Sequence, residues 1–199
     1  MSWIERIPYD RATGRLRQIY DRIRGPRGEL DNILTVHSLR PHTLEGHMAL
    51  YKNVLHHSDN SLPTSWLETI GVYVSLLNRC DYCVDHHLAG LGRLLADDVR
   101  AAAIRAALAS DDLGPFDARE RSMLAYARKL TLDPAAVTDA ELEPMRASGL
   151  TDGEILEVNQ VVAYFAYANR TVSGLGVTSH GDVLGLSPRD GDGDDWSHS

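Results

Sequence analysis

From Trp66 to Leu77 the chain carries Trp66, Leu67, Ile70, Val72, Tyr73, Val74, Leu76 and Leu77, apolar residues that cover nearly every face of a helix rather than one stripe. Pro63, just before them, suits the first position of a helix, where its missing N–H is not needed. A helix apolar nearly all round must be central and covered on several sides. The covers are visible in the same sequence. Leu16, Ile19, Tyr20 and Ile23 recur at helical spacing over residues 10–23, and Leu44, Met48, Tyr51, Val54 and Leu55 over 42–57. Further helices are expected over about 80–95, from Asp97 to about 109, over 117–131, from Thr138 to near Gly149, and from Thr151 through Ile155, Val158, Val161, Val162 and Phe165. No alternating strand pattern of useful length is present. The expected fold class is all-α, a helical bundle of seven to eight helices in a single domain over residues 1–186. Residues 187–199, with four Asp among Gly and Ser, are expected to be an acidic disordered tail.

The chain has 199 residues and a net charge of −8, so it has no large electrostatic pull toward nucleic acid or anionic lipid. No apolar run approaches the roughly 18–20 residues that span a bilayer, and the first residues lack the apolar core of a secretory signal. The expectation is a cytoplasmic protein with no nucleic acid and no membrane among its partners. The whole chain has only two cysteines, Cys80 and Cys83, too few for a disulfide framework.

Their setting carries the chemistry. On a helix, positions 80, 83 and 87 lie on one face, so two thiols and the His87 imidazole form a stripe. A helix starting near Cys80 would stabilise a thiolate there through its free N–H groups and dipole. Glu68 lies 12 residues ahead of Cys80 in the apolar helix. At about 1.5 Å per residue it sits roughly 15 Å before a break at Asn78, while His87 sits roughly 10 Å past Cys80. If the chain reverses at Asn78 and Arg79, the two helices run antiparallel, and the predicted order along them is Glu68, His87, Cys83, Cys80. A carboxylate that orients an imidazole beside a thiol is an activated nucleophile with its base and its orienting group.

Glu68, eleven residues, Cys80-x-x-Cys83, three residues and His87 together resemble the motif of the alkylhydroperoxidase D group, within the carboxymuconolactone decarboxylase-like superfamily. The run from Leu77 to His87 looks more like the branch called peroxidase-related enzymes. The resemblance implies an all-α fold, a homo-oligomer (trimer or hexamer) and thiol-dependent reduction of hydroperoxides, with no cofactor and no metal. One cysteine would be oxidised to a sulfenic acid and the other would resolve it as a disulfide, with a dithiol or lipoyl-type reductant restoring both. The implied catalytic residues are Glu68, Cys80, Cys83 and His87, with Tyr82 and His86 around them. On this reading Cys83 is deprotonated through His87, Glu68 orients His87 directly or through a water, and Cys80 is the disulfide partner. Cys80, nearer the helix start, is expected to be the more acidic and more exposed sulfur; which sulfur meets peroxide first stays open. The group's histidine just before the second motif cysteine is here Tyr82, which cannot replace an imidazole as a neutral-pH base but can donate a hydrogen bond.

Competing readings are a zinc site built from Cys80, Cys83, His87 and Glu68 or His86, a catalytically silent oligomeric helical protein, and a capping role for Glu68 at the helix start. His42, His47, His56 and His57 read as ordinary helix-face residues. Tyr164, Phe165 and Tyr167 read as core or subunit interface. The runs Leu67-Glu68 to Cys80 and Leu156-Glu157 to Thr171 echo each other weakly, as a duplicated helical hairpin would.

Overall fold

The computed structural model describes residues 2–186. Among these residues every regular element is helical: α1 (Gly14–Ile23), α2 (Asn32–Thr35), α3 (Pro41–Leu55), α4 (Thr64–Leu77), α5 (Asp81–Leu95), α6 (Asp98–Ala109), α7 (Ala118–Leu132), α8 (Glu143–Ala147) and α9 (Asp152–Leu175), with 3-10 turns at Tyr9–Arg11, Pro134–Ala136 and Asp139–Glu141. The all-α expectation holds, with one helix more than the upper count. The extra one is α2, a single turn between glycine-rich and apolar segments, too short to show a period. The expected acidic tail, 187–199, lies outside the described residues.

α4 is the axis of the bundle. Every residue from Leu67 to Ser75 on it is buried, and α5, α9, α7 and α6 pack against it. This is the cover that an all-round apolar helix requires. Where α4 crosses α9, Gly71 leaves the room that the Phe165 ring fills. The boundaries follow local chemistry. Asp97 accepts from the Arg100 N–H at the start of α6, and reciprocal capping boxes open α7 (Asp117 with Glu120) and α9 (Thr151 with Glu154). α4 ends at Asn78, Arg79 turns the chain with φ 56°, and Cys80 caps α5.

The duplicated-hairpin expectation fails. Leu156 through Thr171 lies inside one uninterrupted helix, α9, so the second copy never turns. The echo nevertheless has a spatial counterpart, because Asn78 donates to Asn169 Oδ1 at 2.9 Å.

After α9 the chain folds back in an irregular segment over α2 and α5. The Arg93 guanidinium donates to the Leu184 and Gly185 carbonyls, and the Asn32 amide donates to those of Thr178 and His180. Gly185 has φ 77° and rests on the backbone of Ala89 and Gly90, where a Cβ would come within 2.8 Å. Such a conformation and approach are available to glycine alone.

Candidate active site

The turn at Asn78–Arg79 makes α4 and α5 antiparallel neighbours, and the register falls where the spacing predicts. Glu68 and His87 meet: His87 Nδ1 lies 2.6 Å from Glu68 Oε2. Glu68 is buried, at 2 % exposure, four residues past the first helical position. It therefore has no part in a capping box, and the contact to His87 needs no intervening water. With Nδ1–H donated to the carboxylate, the imidazole keeps its Nε2 lone pair for a proton. Two rings fix the imidazole edge-on, Phe165 at 4.6 Å and Tyr51 at 6.1 Å between centroids.

Cys83 joins this pair. It lines, with Glu68 and His87, a cavity of about 40 Å³. Asp31, His47, Tyr51, Tyr164, Tyr82 and His86 complete most of the wall, and Gly185 and Leu186 of the returning segment close part of it. Such a volume holds about three water-sized molecules.

Cys80 lies behind Cys83, the sulfurs joined by a 2.9 Å hydrogen bond. Both cysteines are free and buried, which corrects the expectation that Cys80 is the more exposed. Cys80 borders a different space, a surface groove of about 370 Å³ lined by Trp3, Arg79, Asp85, Ser173 and Thr178 among others. The electrostatics of the pair are asymmetric. The hydrogen bond from Cys83, then its backbone N–H and Ser173, bring Cys80 down to about 7 against the opposing cost of burial. The same bond and burial push Cys83 well up, opposed by a hydrogen bond from Asn169. Of the two thiols, Cys80 is thus the one whose thiolate is favoured, and the bond between the sulfurs is the main reason. The expectation that His87 deprotonates Cys83 thus concerns a thiol that its bond to Cys80 and burial hold well above the ordinary cysteine range.

The other named residues sort by position. Tyr82 donates to Asp182 Oδ2 at 2.9 Å and accepts from the Ile33 N–H at 3.1 Å. His86 Nε2 lies 3.3 Å from the same Asp182 oxygen, and Nδ1 lies 3.9 Å from Asp31 Oδ2. Both line the cavity beside the Glu68–His87 pair. His42 is exposed as expected, but His47 and His56 are buried. His47 lines the cavity, and His56 Nε2 lies 3.9 Å from Glu68 Oε1. Tyr164, expected in core or interface, also lines the cavity, and its ring stacks on Tyr51 at 5.6 Å.

Sequence reasoning missed Asp31 and Asp182, and left Asn169 open between facing the site and capping a helix. Asp31 and Asp182 sit in irregular segments with no period. Asn169 had a signal, its correspondence with Asn78, and it donates to Ser75 Oγ at 3.1 Å besides facing Cys83. Among the described residues no three His, Cys, Asp or Glu side chains converge as a metal site would require, so the zinc reading lacks a ligand set. No helix among them is long and apolar enough to cross a membrane.

Residues 41–129, which span α3 through most of α7, match the model of the Carboxymuconolactone decarboxylase family. No curated protein matches the chain. Among solved structures it is similar to an uncharacterized peroxidase-related protein from Ralstonia eutropha JMP134, described as an alkylhydroperoxidase AhpD core. The two share 24 % identity and a TM-score of 0.78 over 89 % of this chain and 92 % of that one. A peroxidase-related protein from Silicibacter sp. TM1040 is similar at 24 % identity and TM-score 0.74, over 90 % and 92 %. The debrominase Bmp8 is similar at 19 % identity and TM-score 0.67, over 89 % and 90 %. At these identities the likeness is one of fold.

Proposed function

We propose thiol-dependent reduction of small hydroperoxides as the function of this chain, whose residues 41–129 match the Carboxymuconolactone decarboxylase family model and whose fold is like that of an alkylhydroperoxidase AhpD core. One observation carries the reading. Cys83 shares a cavity with the Glu68–His87 pair, and a second, more acidic sulfur lies 2.9 Å behind it.

The chemistry follows from this placement. His87 Nε2 takes the Cys83 proton, while Glu68 holds Nδ1–H and stabilises the imidazolium. The Cys83 thiolate attacks the terminal oxygen of ROOH; the S–O bond forms, the O–O bond breaks, and RO⁻ leaves to become ROH. Cys80, already a thiolate, attacks the Cys83 sulfenic acid. The disulfide forms, and hydroxide leaves as water with the proton from His87. A dithiol then returns two electrons and leaves as its own disulfide, reaching the pair through the groove on the Cys80 side, which is far larger than the cavity. The low value of Cys80 suits a resolving thiol, which must be a thiolate when the sulfenic acid appears. We extend the proposal to a homo-oligomer working with a dithiol or lipoyl-type reductant.

A second reading is supported by the likeness to the debrominase Bmp8, since the same pair could deliver two electrons to a carbon–bromine bond. The cavity volume favours the peroxide, because a bromoaromatic ring would need the walls to move.

The test is a single turnover of the protein and its Cys80→Ser and Cys83→Ser variants with one equivalent of hydrogen peroxide, followed by mass spectrometry. Loss of both thiols in the wild type, restored by dithiol, is expected, with a trapped sulfenic acid on Cys83 in Cys80→Ser and no reaction in Cys83→Ser. A wild type whose two thiols survive peroxide would overturn the proposal.

A further inference from the structure

The mechanism above leaves one buried acid at the cavity without a task. Asp31 is 5 % exposed and lines the same space as Cys83 and His87, from the loop that leads into α2. Its surroundings are mixed in sign. His86, His87 and Tyr82 face it from α5, Tyr51 from α3, Asp182 from the returning segment and Glu29 from its own loop. Burial is the largest influence on it, and the Asp182 carboxylate adds to that, so Asp31 is raised to about 7 and holds its proton into the neutral range.

Displacement at a peroxide oxygen is an in-line reaction: the bond to sulfur forms on one side and the departing oxygen leaves on the other. Cys83 and His87 both project from α5, one turn apart. The imidazole that takes the thiol proton is thus on the attacking side. The departing oxygen needs an acid from another element. Glu68 of α4 is committed to His87. The phenols of Tyr51 and Tyr164 are pushed well above their ordinary range by burial, which makes them poor acids. Tyr82 and His86 are engaged with Asp182, which leaves Asp31 and His47 of α3, the latter packed among the rings of His37, Tyr51, Tyr164 and Tyr167. Burial keeps a carboxylic acid in its neutral, protonated form, so Asp31 holds a proton ready to give.

We infer that the Asp31 carboxyl is the general acid of the reductive half of the peroxide reaction, giving its proton to the departing alkoxide or hydroxide as the O–O bond breaks. With hydrogen peroxide the balance is Cys83–S⁻ plus HOOH plus Asp31–COOH giving Cys83–SOH, water and Asp31–COO⁻, and the carboxylate takes its proton back from solvent. The inference rests on the proposed peroxidase reading.

The test compares two oxidants that differ in leaving group. Hydrogen peroxide expels hydroxide, a strong base that needs a proton as it leaves; peracetic acid expels acetate, a weak base that needs none. Stopped-flow oxidation of the wild type, Asp31→Asn and His47→Gln is followed with each. Asp31→Asn is expected to lose about 10²-fold with hydrogen peroxide and less than about threefold with peracetic acid. In the wild type alone, the rate ratio of hydrogen peroxide to peracetic acid is expected to fall as pH rises through about 7, since ionisation of the attacking thiol affects both oxidants and cancels. This second readout holds even if Asp31→Asn does not fold. Equal losses with both oxidants, a selective loss in His47→Gln instead, or a pH-independent ratio would overturn the assignment while leaving the peroxidase reading standing. A wild type that reacts with neither oxidant overturns both.

Discussion

The sulfurs of Cys80 and Cys83 lie 2.9 Å apart yet border different spaces, Cys83 the His87 cavity and Cys80 the surface groove beside Trp3 and Arg79. Cys80 precedes the first turn of α5 and Cys83 lies inside it, so one helix start holds both sulfurs and separates their access. On the proposed function, a small oxidant enters on one side while a bulky dithiol works on the other. The bond between the sulfurs links the two sides and makes their acidities unequal.

That inequality predicts a pH profile. Alkylation of Cys80 by iodoacetamide, read by peptide mass spectrometry, should rise with pH to a midpoint near 7. The hydrogen bond from Cys83 is the largest cause of the lowering. Cys83→Ala removes it, and the midpoint should move up toward the ordinary cysteine value of about 8.5. An unmoved midpoint would show that the helix start alone sets the acidity.

Glu68→Gln tests the orienting contact. A glutamine can present its NH₂ to His87 Nδ1, which favours the tautomer with its proton on Nε2 and removes the lone pair that Cys83 needs. Sulfenic acid formation should slow by about 10²–10⁴-fold. The Cys80 midpoint should stay near 7, since Glu68 is not among the causes of that shift. A variant with wild-type rates would remove Glu68 and His87 from the chemistry.

Asp31 makes stability fall with pH. Its folded value of about 7 exceeds the unfolded value of about 3.9, so between them the folded state binds the extra proton. The unfolding free energy therefore declines as pH rises across that window, by up to about 1.4 kcal/mol per unit and about 4 kcal/mol in all, and the loss is complete above pH 7. Asp31→Asn lacks this slope. Urea unfolding of both proteins near pH 4.5 and pH 7.5 should show the variant gaining on the wild type at the higher pH. A constant difference would contradict a buried, protonated Asp31.

How far the sequence reveals this arrangement depends on where periodicity reaches. The apolar wrap of Trp66 to Leu77 marks α4 as central, and Glu68, Cys83 and His87 sit at helical spacings on α4 and α5, so counting residues outward from the turn at Asn78 is enough to place the Glu68–His87 contact. Asp31 and Asp182 belong to irregular segments, where nothing local encodes the partner. Asp182 meets Tyr82 across 100 residues and Asn32 across 150. His47 and Tyr164 read as ordinary helix-face and core positions, because a cavity wall and a core face have the same period. The acidity order of the two cysteines follows mainly from the bond between their sulfurs, and their equal burial from residues of α2, α9 and the segments after them, none of which the motif itself encodes.

Gly71→Ala tests how the crossing of α4 and α9 supports the site. A Cβ at position 71 would run into the Phe165 ring. Alanine favours a helix over glycine by up to about 1 kcal/mol, but forcing a packed ring aside costs about 1–3 kcal/mol. A net loss of about 1–2 kcal/mol in denaturant unfolding is expected. Because Phe165 contacts His87 edge-on at 4.6 Å, peroxide reactivity should fall along with stability. A variant more stable than the wild type would mean that the ring has room to move.

Asp182 is the fastening of the segment that closes the cavity. One of its oxygens receives the Tyr82 hydroxyl at 2.9 Å and the Asn32 N–H at 3.0 Å, with His86 Nε2 at 3.3 Å. Asp182→Ala strips an acceptor from two donors that fold away from water, a loss on the order of 2–3 kcal/mol. The remaining ties, Arg93 to the Leu184 and Gly185 carbonyls and Asn32 to those of Thr178 and His180, should hold the segment only loosely. Gly185 and Leu186 would then leave the cavity wall. Two measurements should move together: Cys83 should become more reactive toward a bulky maleimide, and cumene hydroperoxide should gain rate relative to hydrogen peroxide. Asp182→Asn keeps an acceptor oxygen and should lie between the wild type and the alanine variant in both. If Asp182→Ala lowers stability but leaves maleimide access and the oxidant ratio unchanged, the segment is a structural brace and the bundle itself sets the size of the cavity.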